Sequence, residues 1–246
     1  MRPSSSASLG LSVLVLAFAL LNPASSFAQS EENYQGKMTF GVYAASGQPT
    51  TMDVNARYSA GAWTGWLGWY GPHSDVGSQA RAGLEYDMRR RRVLLIPSIQ
   101  VASATFVGGS IYSEIGGRVY AIAGVSRTDL EPYVNLNFDP NESWQLGAGG
   151  HFGRADSVAA FTVWDNRLHT GQQNTHVVAR HYLSGAERIT LDASYKSGHG
   201  DSGEYVHGIA IATEIDWHRW FVKAARDAHV NYTEATMWRF GGGTRF

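Results

Sequence analysis

The chain has 246 residues, among them 28 glycines, 12 tyrosines, 10 phenylalanines and 8 tryptophans, and it contains no cysteine. Without cysteine, a disulfide scaffold, a thiolate metal site and a thiol nucleophile are all excluded. Lysine and arginine number 20 against 21 aspartates and glutamates, and this near-balance gives no support to nucleic-acid binding.

Residues 1–28 have the pattern of a signal peptide. Arg2 is the only charge in this segment, an apolar stretch runs from Leu9 to Leu21, and small residues precede a cleavage site after Ala28. The apolar stretch is shorter than the roughly 20 residues of a membrane-spanning helix, which disfavours a retained anchor. We therefore expect export and one mature domain, residues 29–246, with 19 basic and 21 acidic residues and a net charge of −2 once Arg2 is removed.

The mature chain alternates between apolar and polar residues over most of its length. In chain order, the pattern is clearest in "TMDVNARYS" (51–59), "SQARAGLEYDM" (78–88), "ESWQLGAGGHFG" (142–153), "ERITLDASYKSG" (187–198) and "TMWRFGGGTRF" (236–246). A period of two residues indicates a β-strand with one apolar and one polar face. Because no stretch keeps a helical period, we predict an all-β protein.

Short and long connections alternate between the predicted strands. The tight turns are "SAGA" (59–62), "RRRR" (89–92), "RADS" (154–157) and "SGAE" (184–187), and the long polar loops contain "GPHSDVG" (71–77), "NRLHTGQQN" (166–174), "SGHGDSGE" (197–204) and "RDAHVNYTE" (226–234). This asymmetry is typical of an antiparallel up-and-down transmembrane β-barrel with short periplasmic turns and longer extracellular loops. The direct count is fourteen strands, from Lys37–Ala45 to Glu234–Phe246. Two glycine pairs between Ala104 and Pro132 mark either turns or a bulged, kinked strand, and in the second case the count falls to twelve, so we predict 12–14 strands.

Alternation alone does not separate a soluble barrel from a membrane barrel, because the two exchange their inner and outer faces. The membrane version is favoured by polar faces of mixed charge that are rich in glycine, serine and threonine, as an aqueous lumen requires. It is also favoured by tryptophans on apolar strand faces, several near strand ends as in interfacial girdles. These are Trp63, Trp69, Trp144, Trp164, Trp220 and Trp238.

The C-terminal strand carries a resemblance to known proteins. The chain ends on Phe246, and Trp238 and Phe240 share its face of the last strand. This ending resembles the terminal strand of Gram-negative outer-membrane β-barrels of the porin-like class, which the barrel-assembly machinery recognises. The resemblance implies an assembly signal at these three residues and location in the cell outer membrane. It also implies contacts with outer-membrane lipids, periplasmic chaperones and the assembly machinery, and we expect a monomer.

A second resemblance covers residues 176–205. The stretch "HVVARHYLSGAERITLDASYKSGHGDSGEY" is similar in rhythm to the late strands of YaiO-type outer-membrane barrels, with a strand, a tight turn, a strand ended by tyrosine and a glycine-rich loop. These features are shared by many barrels, and they imply no chemistry for individual residues.

Two short stretches bear on enzymatic activity. His181 and Ser184 in "RHYLSG" are the residue types of a lipid hydrolase dyad, but two side chains share a strand face only at even spacing, so a β-bulge would be needed to join them. The string "HGDSGE" (199–204) resembles a serine-protease motif without its His and Asp framework, and we interpret it as a loop. We predict no enzyme, with a lipid A or phospholipid hydrolase as the remaining enzymatic alternative. The 9 histidines lack ligand spacing, so no metal and no cofactor are predicted.

The charge run "MRRRRV" (88–93) has two interpretations. One is a binding site for phosphate, lipid A or a polyanion. The favoured one is a periplasmic turn whose arginines stay in water, while Leu94, Leu95 and Ile96 enter the hydrocarbon.

The polar strand faces predict a lumen with both signs of charge. The candidate lumen residues are Asp53, Arg57, Arg81, Glu85, Asp87, Glu114, Arg118, Arg188, Asp192, Lys196, Lys223, Arg239 and Arg245. A ring of one sign would indicate ion selectivity, whereas this mixture predicts internal salt bridges around a narrow path. We therefore expect a narrow passive channel for small hydrophilic solutes. The first alternative is a non-conducting structural or surface-interaction barrel that acts through its extracellular loops, and the second is a lipid-modifying enzyme.

Overall fold

The computed structural model describes residues 34–72, 78–103, 106–128, 143–152, 156–165, 170–184, 187–200 and 203–246. The predicted signal peptide and its cleavage site lie outside these residues. Within them, no helix is long and apolar enough to cross a bilayer. The strands are β1 (Gly36–Ala45), β2 (Thr51–Ala60), β3 (Trp63–Pro72), β4 (Gln79–Tyr86), β5 (Met88–Arg90), β6 (Val93–Ala102), β7 (Phe106–Gly116), β8 (Val119–Thr128), β9 (Ser143–Phe152), β10 (Asp156–Asp165), β11 (Gln173–Ser184), β12 (Glu187–His199), β13 (Tyr205–Trp217), β14 (Trp220–Asp227) and β15 (Met237–Arg245).

The strands close into one antiparallel barrel. Apart from β4 and β5, which do not pair with each other, each strand pairs with its neighbours in the chain, and β1 pairs with β15 in a register that places Lys37 opposite Arg245. β4 and β5 both pair with β6 and are separated only by Asp87, so they form one interrupted strand. The barrel therefore has 14 strands, which confirms the direct count and the even number that bacterial single-chain barrels require.

The two ends of the barrel differ as the sequence predicts. At one end, which we call the short-turn end, the strands are joined by two or three residues: 61–62, 91–92, 117–118, 153–155, 185–186 and 218–219. At the other end, the long-loop end, the connections are 46–50, 73–78, 103–105, 129–142, 166–172, 200–204 and 228–236. The first glycine pair of the ambiguous region lies inside β7, and the second, Gly116–Gly117, forms the turn to β8, so the count does not fall to twelve.

The outer surface of the barrel is apolar and the inner surface is largely polar. Side chains such as Leu67, Ile209 and Val222 are more than half exposed on the outside, whereas Asp192 is buried inside. On β13, aromatic residues lie at both ends, Tyr205 and Trp217, about 40 Å apart along the strand and about 30 Å apart along a barrel axis from which the strand tilts by ~40°. These faces are those of a membrane barrel, because lipid requires the apolar side to point outward.

The structure corrects one expectation about the arginine-rich turn. Leu94 and Ile96 are only 4% and 3% exposed and point into the barrel, and of the three predicted hydrocarbon residues only Leu95 lies on the outer face. The reason is register: Leu94 is paired with the buried Glu114 and therefore shares its inward face.

The last strand closes the barrel through its terminal residue. Gly36 and Phe246 each donate a backbone N–H to the other's carbonyl, at 2.7 and 2.9 Å. The Phe246 ring lies directly over Gly36, where any Cβ would collide with it. Phe246 is itself 65% exposed on the outside, so it covers the seam from the lipid side.

Candidate channel interior

A cavity of about 730 Å³ lies inside the barrel. Its lining reaches from Gly61 and Ala62 at the short-turn end to Ser126 and Ser143 near the long-loop end. Charged and apolar side chains both face it. The cavity is therefore the part of the molecule with the dimensions and lining for solute binding.

One ion-pair system joins β2 to β4. Arg81 binds Asp53, and both are buried. Four residues further along the same two strands, toward the short-turn end, Arg57 binds Glu85, and both stay partly accessible, with 23% and 16% of their side chains exposed. Each pair spans β3, because the partners lie on its two neighbours. The pairs therefore brace the wall, while the Arg57 pair also presents charge to the cavity.

A second system lies near the short-turn end on β12 to β15. The carboxylate of Asp216 accepts from Arg188 at 2.8 Å, and its other oxygen lies 2.6 Å from the Arg245 guanidinium. Glu214 lies 3.6–3.8 Å from the same two arginines and from the ammonium of Lys223. Three cations thus share two carboxylates.

The excess of cations is partly accommodated by an aromatic ring. Phe221 is 2% exposed, and three cations lie over its ring: Lys37 at 4.6 Å from the centroid, Arg245 at 4.8 Å and Lys223 at 5.4 Å. The electron-rich face of an aromatic ring attracts cations, most strongly where water is excluded. This part of the lumen is therefore built to hold positive charge.

A third system lies toward the long-loop end. Asp227 has no exposed surface and binds both Lys196 and Arg239, the latter at 3.4 Å. Beside it, Nδ1 of His176 lies 3.0 and 3.1 Å from the two carboxylate oxygens of Asp192.

The connection between β14 and β15 folds inward over this system. Val230, Asn231 and Tyr232 are 1%, 5% and 7% exposed, and the Tyr232 hydroxyl donates to the carbonyl of Gln173 at 2.9 Å. His229, Asn231 and Tyr232 all have positive φ, a conformation that non-glycine residues rarely adopt. We call residues 228–236 the inner loop. It occupies part of the long-loop end of the lumen, beside β11 and β12.

The inner face of β7, β8, β10 and β11 contains an apolar wall that sequence alternation missed. It is a cluster of buried side chains on β8, β10 and β11, with Tyr112 of β7 packed against it: Tyr120, Ile122, Ala159, Phe161, Val163 and Val178. β8 and β10 carry apolar residues on both faces, as in "DSVAAFTVWD", so alternation gives no signal there. Register identifies the inner face, since Ala159 pairs with Val178 and Phe161 with His176.

The structure places most of the predicted lumen residues inside. Those that are buried, or that face the cavity, are Asp53, Arg57, Arg81, Glu85, Asp87, Glu114, Arg188, Asp192, Lys196, Lys223, Arg239 and Arg245. Arg118 is different: it is exposed in the β7–β8 turn, because β7 ends at Gly116, and its Nε donates to the carbonyl of His151 at 3.1 Å. Asp87 lies at the break between β4 and β5, where Arg89 donates to it at 3.1 Å.

The candidate assembly residues all face outward. Trp238, Phe240 and Phe246 are 47%, 55% and 65% exposed, and the rings of the first two are stacked at 6.2 Å.

The stretch "RHYLSG", considered as the site of a lipid hydrolase, has one of the features that a His–Ser dyad requires. Pairing of β11 with β12 shifts between Tyr182 and Ser184, which is the irregularity that a His–Ser pair would need. The imidazole of His181 lies 3.1 Å from the carboxylate of Asp156, and both are largely exposed on the outer surface. The side chain of Ser184 lies outside the described residues, as do residues 201–202 of the "HGDSGE" string. Across the described ranges, no group of three or more His, Asp or Glu residues is arranged to hold a metal ion.

No family model and no curated protein matches the chain. Solved structures do match it. The Acinetobacter baumannii outer membrane protein Omp33 is similar over 87% of this chain and 98% of its own, with 11% identity and a TM-score of 0.58. A variant of the Rh. blastica porin is similar over 86% of this chain and 98% of its own, with 12% identity and a TM-score of 0.50.

The chain has the fold of a porin-like outer-membrane β-barrel. At such low identities the likeness concerns the fold alone. The porin-like fold and the apolar outer surface together support an outer-membrane location, and the channel interior has to be understood from this chain's own residues.

Proposed function

We propose that this porin-like barrel is a narrow passive channel for small hydrophilic solutes and that it prefers anions. The observation that carries the proposal is the charge of the cavity lining. Four carboxylates face the cavity, Asp53, Glu85, Asp87 and Glu214, against seven cations: Lys37, Arg57, Arg81, Arg180, Arg188, Lys223 and Arg239. Two of these cations, Arg188 and Arg239, are also paired with Asp216 and Asp227, which do not line the cavity, so the net excess of positive charge is modest.

Ion pairing explains why the path is narrow and the preference moderate. The pairs hold long side chains in place along the inner wall, and the inner loop occupies part of the long-loop end of the lumen. A lining of mixed sign with an excess of cations lowers the energy of an anion without trapping it, which passage requires.

The test is the reversal potential of single channels formed by the mature chain, residues 29–246, in a planar bilayer with a KCl gradient. Arg57→Glu is the informative variant, because Arg57 is partly accessible in the lumen and the change removes one cation and adds one anion. Arg81→Glu is less suitable: Arg81 is buried against Asp53, and breaking a buried pair impairs folding.

The expected shift follows from Coulomb's law. Arg57→Glu changes the lumen charge by two units, and two unit charges about 8 Å from an ion on the axis change its energy by about 4 kcal/mol at an effective dielectric constant of about 20. Salt at about 0.1 M, with a Debye length of about 10 Å, reduces this interaction by about half, so the anion preference of Arg57→Glu should fall at least tenfold there and much less at about 1 M salt.

Two controls separate lumen charge from other effects. Arg118→Glu makes the same substitution in an exposed turn and should leave the reversal potential unchanged. The exchange Arg57→Glu with Glu85→Arg keeps the charge count and should restore the preference. A silent bilayer with a correctly folded barrel would overturn the channel and favour a barrel that acts through its loops.

We also infer that Trp238, Phe240 and Phe246 form the signal read by the barrel-assembly machinery, after export directed by residues 1–28. The support is their placement: all three lie on the outer face of the closing strand, next to β1. A monomer in contact with outer-membrane lipids remains our expectation.

A further inference from the structure

We infer that the lumen selects small organic anions with an apolar or aromatic face, such as benzoate, over anions that lack one. This inference rests on the proposed function, because it names the class of solute that the same cavity takes. It depends on two features that the charge preference alone does not use: the apolar wall and the guanidinium at its edge.

The apolar wall faces the cavity as well as packing on itself. Ile122, Phe161 and Val178 come from three different strands, β8, β10 and β11, and all three line the cavity. The interior of a membrane barrel is usually polar, because it faces water and not lipid. An apolar patch at this place therefore lowers the energy of a solute that can leave water with one face.

A cation lies at the edge of this wall. Arg180 is the next inward residue after Val178 on β11, about 7 Å further along the strand, and it also lines the cavity. That spacing is comparable to the distance between the carboxylate and the far edge of one aromatic ring. A guanidinium is well suited to a carboxylate because its two N–H groups bind both oxygens.

The opposite wall supplies polarity. Arg57 and Lys223 both line the cavity there, and both carry partly exposed charges. A solute with one apolar and one hydrophilic face therefore has a preferred orientation, with its ring toward β8–β11 and its polar side toward β1 and β15. A solute with two polar faces gains nothing from the apolar wall.

The experiment compares sodium benzoate with sodium acetate. In planar bilayers, the permeability of each anion relative to chloride is taken from reversal potentials. Equilibrium dialysis then measures binding of each anion to the mature chain in nanodiscs, with empty nanodiscs as background. We expect benzoate to exceed acetate about tenfold in relative permeability, in affinity or in both. This is the factor expected when one face of an aromatic ring leaves water.

Val178→Thr is the main variant, because it introduces a hydroxyl without a change of volume on the inner wall. Val177→Thr is its control: the adjacent residue is 49% exposed on the outer surface and should leave the benzoate-to-acetate ratio unchanged. Val178→Thr should reduce that ratio severalfold. Arg180→Gln should weaken the binding of both benzoate and acetate. Heat-modifiable gel mobility verifies that each variant is folded.

The outcomes separate this inference from the proposed function. A KCl current with equal values for benzoate and acetate overturns the inference and leaves the channel. If the barrel carries no current but binds benzoate, and Val178→Thr weakens that binding, the channel proposal is overturned while the inferred class of ligand is retained. Equal ratios in Val178→Thr and the wild type would show that the apolar wall plays no part.

Discussion

Replacement of Asp227 by Asn tests whether the buried ion pairs hold the barrel together. Asp227 is fully buried and binds Lys196 and Arg239, so its neutral replacement leaves two buried cations without their shared carboxylate. Removal of one partner from a buried pair costs about 3–5 kcal/mol, because the remaining charge stays desolvated. With an m-value of about 2 kcal/mol/M, the urea midpoint should fall by about 2 M.

The assay is equilibrium unfolding in urea of the mature chain refolded into phospholipid vesicles, followed by tryptophan fluorescence and by protease protection. Asp156→Asn is the matched control, since it removes a carboxylate from an exposed pair with His181 on the outer surface. We expect no resolvable change of its midpoint, because solvent screens exposed pairs.

A second substitution checks the cause of the loss. Adding Lys196→Met to Asp227→Asn removes one of the two stranded cations and should recover part of the midpoint, a non-additive result. Equal midpoints for Asp227→Asn and the wild type would refute the reasoning. So would a loss in Asp156→Asn as large as that in Asp227→Asn.

Two further predictions concern the inner loop and the closing strand. Replacing residues 229–235 by a short Gly-Ser link should raise single-channel conductance by at least about twofold, because a wider opening admits more ions. The control is deletion of residues 47–49, which are largely exposed at the same end and whose loss should not change the conductance. An unchanged conductance without the inner loop would show that the narrowest point lies elsewhere. Phe246→Ala keeps the backbone pairing with Gly36 but removes the ring, and it should lower the amount of assembled barrel in the outer membrane severalfold, measured by heat-modifiable mobility in membrane fractions. Phe40→Ala, at another outward-facing phenylalanine, should assemble normally, and equal yields would argue against an assembly signal at Phe246.

Local sequence determines the features that depend on one strand at a time. Alternation assigns the inward faces of β2, β4, β12 and β15 correctly, because successive side chains of any strand point to opposite sides. Asp53, Arg81, Asp192 and Arg239 are therefore found inside, as predicted. The short-turn and long-loop ends were also predicted, since turn residues mark both the place and the length of a connection.

The tertiary structure decides what depends on several strands together. β8 and β10 are apolar on both faces, so only their register with β9 and β11 shows that Ile122 and Phe161 point inward. Asp227 contacts Lys196 because only β13 lies between β12 and β14 in the barrel, and no sequence spacing reveals this proximity. The inner loop has the sequence of an ordinary polar connection, yet its middle, Val230–Tyr232, is buried, because the loop backbone and Tyr232 find hydrogen-bond partners on β11 and within the loop itself. Strand faces are a local property of the chain, whereas the contents of the lumen are set by closure of the barrel.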